Sequence, residues 1–283
     1  QRLRDEEVGE VPEILAFPWA DEVESAAAER ELSGENPLLD TACEASLRNI
    51  RTVLLPEQIR EAEEVAGLCG EAVTQTAMQI KPGMTEFEIS GILSREAISR
   101  GLVPNVLFTP TDSHISAYRH ALSGSKKMEK LVMLSLGANY NGLYASITRF
   151  LSFGQPDAVT MRAQEMACSV AARIYTETTV GKTWSELYEE LGCAYEDLGI
   201  AEEFKLHHQG GLGGFQVREL RLMPSSDGKV QANQLYAWNP SCTGFKSEDM
   251  LLVGEHENRL LTITPEFPHR AYSYGGKTWN LAQ

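Results

Sequence analysis

Lys81-Pro82-Gly83-Met84-Thr85-Glu86-Phe87-Glu88 closes one long helical stretch and opens another, and Gly181-Lys182-Thr183-Trp184-Ser185-Glu186 does the same later in the chain. Gly83, Thr85, Glu88, Leu93 and Gly101 return as Gly181, Thr183, Glu186, Leu191 and Gly199, each pair 98 positions apart. Thr-x-x-Glu is a capping box, in which hydroxyl and carboxylate satisfy the first free amides of a helix, and the glycine after the helix suits a left-handed stop. Each half therefore reads as long helix, Gly-x-Thr turn, capped helix, glycine, strands. Matching roles at one constant offset predict a duplicated α+β fold, its two halves related by a pseudo-two-fold axis.

Outward from the turns, Pro56 suits the first turn of a helix running from Glu57 to Ile80, and a third long helix runs from Pro156 to Thr179. Apolar runs at Val103–Phe108, Leu131–Leu136 and Tyr144–Phe150 read as strands. Residues 1–54 have helical character at Asp21–Leu32 and Asp40–Arg51 but no strand pattern, and are expected to be the remnant of, or linker from, an N-terminal domain. Residues 55–283 form the main domain. The first residue is Gln1, which suggests that an upstream piece is missing.

Composition narrows the function. The chain has 283 residues, 42% hydrophobic, so it can bury a sizeable core. Forty acidic against 25 basic residues give a net charge of −15, a balance that repels nucleic-acid phosphates. Eight of those negative charges fall within residues 1–36, which hold eleven Asp/Glu and three Lys/Arg. No stretch approaches the ~18 apolar residues of a membrane helix. Cys43, Cys69, Cys168, Cys193 and Cys242 lie singly, which fits reduced thiols in the cytoplasm and excludes a zinc knuckle.

Four segments carry polar residues that duplicated halves would bring to one cleft: Ala117-Tyr118-Arg119-His120, Ser135 to Phe150, His207 to Glu219, and Ala237 to Asp249. Their order resembles the catalytic domain of the methionine aminopeptidase, aminopeptidase P, prolidase and creatinase superfamily, over roughly residues 55–283. That resemblance implies a pita-bread fold, with a curved mixed sheet covered by helices. It also implies a dinuclear metal site built from two Asp, one His and two Glu. Ser135-Leu-Gly137 and Gly142-Leu-Tyr-Ala-Ser146-Ile-Thr148-Arg149 keep the frame of the two Asp motifs, eleven residues apart, with Ser at both ligand positions. Gly210-Gly211-Leu212-Gly213-Gly214-Phe215-Gln216-Val217-Arg218-Glu219 matches the Gly-His-Gly motif, with Gly211 for the ligand His and Arg218 for the second His. Asn239-Pro240 stands for Glu-Pro, and Glu248-Asp249 survives.

Hydroxyls and an amide are neutral, weak donors, glycine offers none, and one carboxylate cannot offset the desolvation of two dications. The expectation is no metal and no other cofactor. His207-His208 with Glu219 is the one other cluster that could hold an ion. His120 matches a proton-shuttling His of the superfamily, so His120, Glu219 and Glu248 are the candidate catalytic groups. Tyr118, Arg119, His207, His208, Arg218 and Asn239 are candidate substrate-binding groups, with Arg218 taking a substrate carboxylate.

Blander readings stand beside these. His207 reads as a strand residue, with His208 on the opposite face. Glu219 can pair with Arg218 or Arg221, and Arg149 reads as a strand anchor. The glycines read as close backbone approach rather than a phosphate loop. Cys242 reads as a packed residue, and no Gly-x-Ser-x-Gly elbow is present. His114, His256 and His269 read as surface residues.

Three functions compete: a metal-independent hydrolase or lyase for a small amide, amidine or amino-acid-like substrate; an inactive homologue binding a peptide or small molecule; and an Xaa-Pro aminopeptidase or dipeptidase. Creatinase-like members act without metal, which favours the first. The expected partners are a small molecule or short peptide and a second copy in a homodimer, with no nucleic acid and no membrane.

Overall fold

The computed structural model describes residues 40–282, and side chains from Glu44 onward. The helical reading of Asp21–Leu32 lies outside the described residues. The chain divides into two compact units, residues 1–47 and 48–283. Helix α1 spans Asp40–Arg51.

The duplication is visible in backbone geometry. In the first half, α2 (Pro56–Ala77) and α3 (Glu86–Ile98) lead into β1 (Val103–Phe108), the short α4 (Ser113–Ala117), β2 (Leu131–Tyr140) and β3 (Leu143–Ser152). In the second, α5 (Ala158–Glu177), α6 (Trp184–Asp197) and a one-turn α7 (Ala201–Phe204) lead into β4 (Gly210–Gly213), β5 (Leu220–Arg221), β6 (Leu235–Trp238) and β9 (Asp249–Leu252). Thr85 and Thr183 close identical capping boxes, with φ/ψ of −76°/157° and −74°/155°. Gly83 and Gly181 both take φ of 91°, which a side chain would strain. A returning segment meets each turn in the same way: Gly83 N–H donates to Met128 O and Gly181 N–H to Val230 O, while Glu86 N–H donates to Lys126 O and Trp184 N–H to Gly228 O. Five residue identities in the sequence thus correspond to a shared pattern of turns, caps and backbone bonds.

Every strand pairing among the described residues is antiparallel. The first half holds a three-stranded sheet, β1-β2-β3, and the second a five-stranded one, β10-β9-β6-β4-β5, where β10 is Arg259–Leu260. A bridge between Thr148 and Glu248 joins them. Two hairpins complete the chain: β7 (Ser241–Cys242) with β8 (Phe245–Lys246), and β11 (His269–Tyr274) with β12 (Lys277–Ala282).

Alternation along β2 and β3 assigns the faces. Val132, Leu134, Leu136 and Ala138 pack with Ala145 and Ile147 in the core shared with α2 and α3. The intervening Met133, Ser135, Ser146, Thr148 and Phe150 therefore turn the other way, toward the cleft. Met133 and Phe150 join the second core with α5, α6 and Phe245. Polar side chains between these apolar ends become a buried polar floor.

Candidate functional site

Ser135 and Thr148 are directly opposed across β2 and β3, so their hydroxyls share one face. Thr148 Oγ1 donates to Glu248 Oε2 at 2.6 Å and lies 3.0 Å from Ser135 Oγ. Lys246 lies two residues before Glu248, on the same side of an extended chain. Its Nζ donates to Glu248 Oε2 at 2.8 Å and to Ser135 Oγ at 3.0 Å. Arg218, on the loop between β4 and β5, reaches Glu248 Oε1 at 3.3 Å and Ser146 Oγ at 3.4 Å. Glu248 is 5% exposed and Lys246 7%. Burial alone would raise the Glu248 carboxyl, but the Lys246 ammonium and the Arg218 guanidinium outweigh it and hold the group at about 2. Glu248 is an ionised carboxylate between two protein cations.

This arrangement tests the dinuclear site directly, and the residues do not fit it. The surviving carboxylate is spent on Lys246 and Arg218. An ammonium sits between Ser135 and Glu248, two of the positions that would ligate metal. A Cβ at Gly211, where φ is 150°, would collide with the Leu220 carbonyl oxygen, so this backbone has no room for a ligand histidine. Asn239 is buried with its Oδ1 unpartnered.

Beside this floor the histidines converge. His120 Nε2 and His207 Nε2 are 3.1 Å apart in a hydrogen bond. His207 and His208 stack at 4.5 Å, and His120 lies 6.1 Å from His208. Neither His207 nor His208 is in a strand: they sit in the loop before β4, so strand alternation does not separate them and both face His120. Burial is the first cause that lowers all three. Neighbouring cations add to it, Lys246 for His207 and His120 and Arg218 for His208, giving about 2 for His207 and about 4 for His208. At neutral pH the imidazoles are uncharged. Among the described residues, these three form the one group whose potential ligand atoms lie within 4.8 Å of one another. Its third member is His120, not Glu219. The same cations that keep the rings neutral oppose a dication there.

The other candidates are held elsewhere. Glu219 accepts from Arg51 Nε at 2.9 Å, rather than pairing with Arg218 or Arg221, and makes no bond to the Glu248 cluster. Arg218 is buried against Glu248, not open toward a substrate carboxylate. Arg119 is bonded to Glu203 and Thr243, and Tyr118 stands exposed at the rim. Arg149 is the expected anchor, with Nη2 2.7 Å from Asp249 and 2.6 Å from Thr262 O. Cys242 is buried, which pushes its thiol up to about 12 and removes it as a nucleophile at neutral pH. His114 is not a free surface residue: its Nδ1 lies 2.9 Å from the buried Glu86 carboxylate. Lys246 is the residue that sequence reasoning passed over. Its signal was Lys-x-Glu in a strand-like run, where period two puts ammonium and carboxylate together.

Residues 57–255 match the family model for metallopeptidase family M24, and the chain belongs to that family. It is 24% identical over 227 residues to an Xaa-Pro dipeptidase of Pyrococcus furiosus, covering 77% of this chain and 65% of that one. It is also 24% identical over 231 residues to an uncharacterized peptidase of Bacillus subtilis, covering 78% and 65%. The chain thus spans slightly under two thirds of these relatives' length. In structure it resembles an Xaa-Pro dipeptidase from Bacillus anthracis, with a TM-score of 0.73 and 21% identity over 86% of this chain and 70% of that one. It also resembles the prolidase of Pyrococcus furiosus, at 0.71 and 22% over 78% and 68%. The fold is the pita-bread fold that the resemblance implied, and no described helix is long and apolar enough to cross a membrane.

Proposed function

We propose that this chain is a hydrolase or lyase that cleaves a small amide, amidine or amino-acid-like substrate without the family's dinuclear metal centre. The observation that carries this reading is the pairing of Glu248 with Lys246 and Arg218, which leaves no carboxylate for a metal while neutral imidazoles stay at the cleft. His120 is half-buried at the cleft, with an exposed edge open to solvent, and hydrogen-bonded to His207. In hydrolysis it takes the proton of the attacking water and returns it to the leaving nitrogen, with His207 fixing its ring. Because burial and Lys246 lower His120, the acid limb of the pH–rate profile should have its midpoint below 6.5. Glu248 supports the floor, and Glu219 acts only through Arg51.

The test is turnover of a panel of dipeptides (Xaa-Pro included) and small amides, run with EDTA and again with Mn²⁺ or Co²⁺, alongside metal analysis of the purified protein. The reading expects chelator-resistant cleavage, lost in His120→Ala, and well under one ion per chain. Turnover that needs a stoichiometric ion would restore the Xaa-Pro peptidase reading. The second reading, an inactive homologue that binds a peptide or small molecule, is favoured by one observation. The cavity beside His207 measures only about 20 Å³, and absence of turnover on the whole panel would establish that reading. The proposal also takes the working form as a cytoplasmic homodimer, checked by light scattering, and residues 1–54 as belonging to a preceding domain.

A further inference from the structure

The small cavity beside the histidines is lined by Lys246, His207, Ser241, Cys242 and Phe245, among others. Its polar groups are incompletely satisfied. A lysine ammonium has three donors, and Lys246 spends two, on Glu248 and Ser135. Its third N–H has no partner among the described residues. Ser241 is 2% exposed, yet its hydroxyl is buried without a hydrogen bond, and so is Nδ1 of His207. Buried polar groups are rarely left unpaired, because each costs its full desolvation.

The fold holds these groups together. Ser241 and Lys246 are directly opposed in the β7–β8 hairpin, so their side chains leave the same face. The Ser241 backbone is held against one buried hydroxyl: its N–H donates to Tyr195 Oη at 2.9 Å and its carbonyl oxygen lies 3.0 Å from the same atom, which also bonds Gln209 Oε1 at 2.6 Å. Phe245, whose ring stacks on Phe150 at 4.1 Å, is one of the cavity's apolar walls. About 20 Å³ exceeds what one water needs but is far too small for a whole substrate.

We infer that this cavity is a binding site for one carboxylate or carbonyl oxygen end of a ligand, with the third N–H of Lys246 and the hydroxyl of Ser241 as its donors. A fixed ammonium takes the place of a Lewis acid there, and a charge-assisted bond to an anionic oxygen is stronger than a neutral one. His207 borders the oxygen without donating charge, since it is neutral. Arg218 does not line this cavity, and Arg119 is bonded to Glu203 and Thr243, so Lys246 is the cation placed to donate into it. As a role in turnover this rests on the hydrolase reading; as a binding site it does not.

The probe is ¹³C-labelled formate, followed by NMR line broadening and by the ring-proton shifts of His207, in EDTA-treated protein. Wild type should bind formate saturably and shift His207. Ser241→Ala should weaken binding roughly tenfold, the loss of one hydrogen bond to a charged group, and Lys246→Met should abolish it. Ser241→Ala leaves the ion cluster intact and so decides the matter even where Lys246→Met does not fold. No saturable binding to wild type, or equal binding to wild type and Ser241→Ala, overturns the assignment. Formate binding with the expected pattern in a protein that cleaves no amide removes the hydrolase reading and keeps the pocket. Amide cleavage with no saturable formate binding does the reverse.

Discussion

Glu248 and Asp249 are adjacent carboxylates, both buried, on opposite faces of the same extended chain, and they have met different fates. Asp249 faces Arg149 and the Thr262 hydroxyl, the latter at 2.6 Å. Burial raises its carboxyl, and the single guanidinium does not bring it back down. Glu248 faces the cleft, where two cations overcome the same burial. One counter-ion leaves a buried carboxylate marginal, whereas two make it firmly anionic. The Asp249 side holds the two sheets together, since Arg149 on β3 also donates to Glu248 O and Thr262 O. The Glu248 side is where two protein cations, Lys246 and Arg218, hold one carboxylate at the cleft.

The largest expected effect is on the structural side. Arg149→Met strands Asp249, removes the guanidinium from the Thr148, Glu248 and Thr262 carbonyls, and should cost about 4–5 kcal/mol in denaturant unfolding; a loss below 2 would deny Asp249 its structural role. Acid separates the two carboxylates by sign. The Glu248 carboxyl falls from 4.5 to about 2 on folding, contributing about 3 kcal/mol that is fully present above pH 4.5 and lost as pH drops toward 2. The Asp249 carboxyl is raised, so its contribution declines as pH climbs above 3.8. Stability between pH 5 and 3 should therefore drop less steeply in Glu248→Gln than in wild type and more steeply in Asp249→Asn; equal slopes would erase the contrast. Lys246→Met leaves Arg218 as counter-ion and should cost less than Arg149→Met, about 3 kcal/mol, with the Glu248 carboxyl rising above 2. Smallest, Thr148→Val and Thr262→Val each remove one hydroxyl donating to a carboxylate at 2.6 Å, about 1.5–2 kcal/mol apiece by thermal or urea unfolding.

The halves were legible because turns and caps are local: Gly83-x-Thr85-x-x-Glu88 states its own geometry, and repetition doubled the signal. The absence of ligand side chains was legible at single positions for the same reason. Lys246 was not, because an ammonium matters only through what folding sets against it, here Ser135 from 111 residues away. The partner of Glu219 was not legible, because Arg51 lies 168 residues earlier in a stretch that reads as linker. His207 was placed in a strand, though β4 begins only at Gly210, so the convergence of three imidazoles depended on a loop without periodicity. His114 gave no sign of Glu86, 28 residues upstream.

The backbone at Gly211 sets a direction on the history and the engineering of this chain. Serines at 135 and 146, asparagine at 239 and lysine at 246 are side-chain choices, and each can be exchanged for a ligand or a neutral residue in place. Position 211 is different, because the strand has closed over it: any Cβ there runs into the carbonyl of Leu220 on β5. Rebuilding a metal centre residue by residue would therefore stall at its histidine until β4 and β5 part.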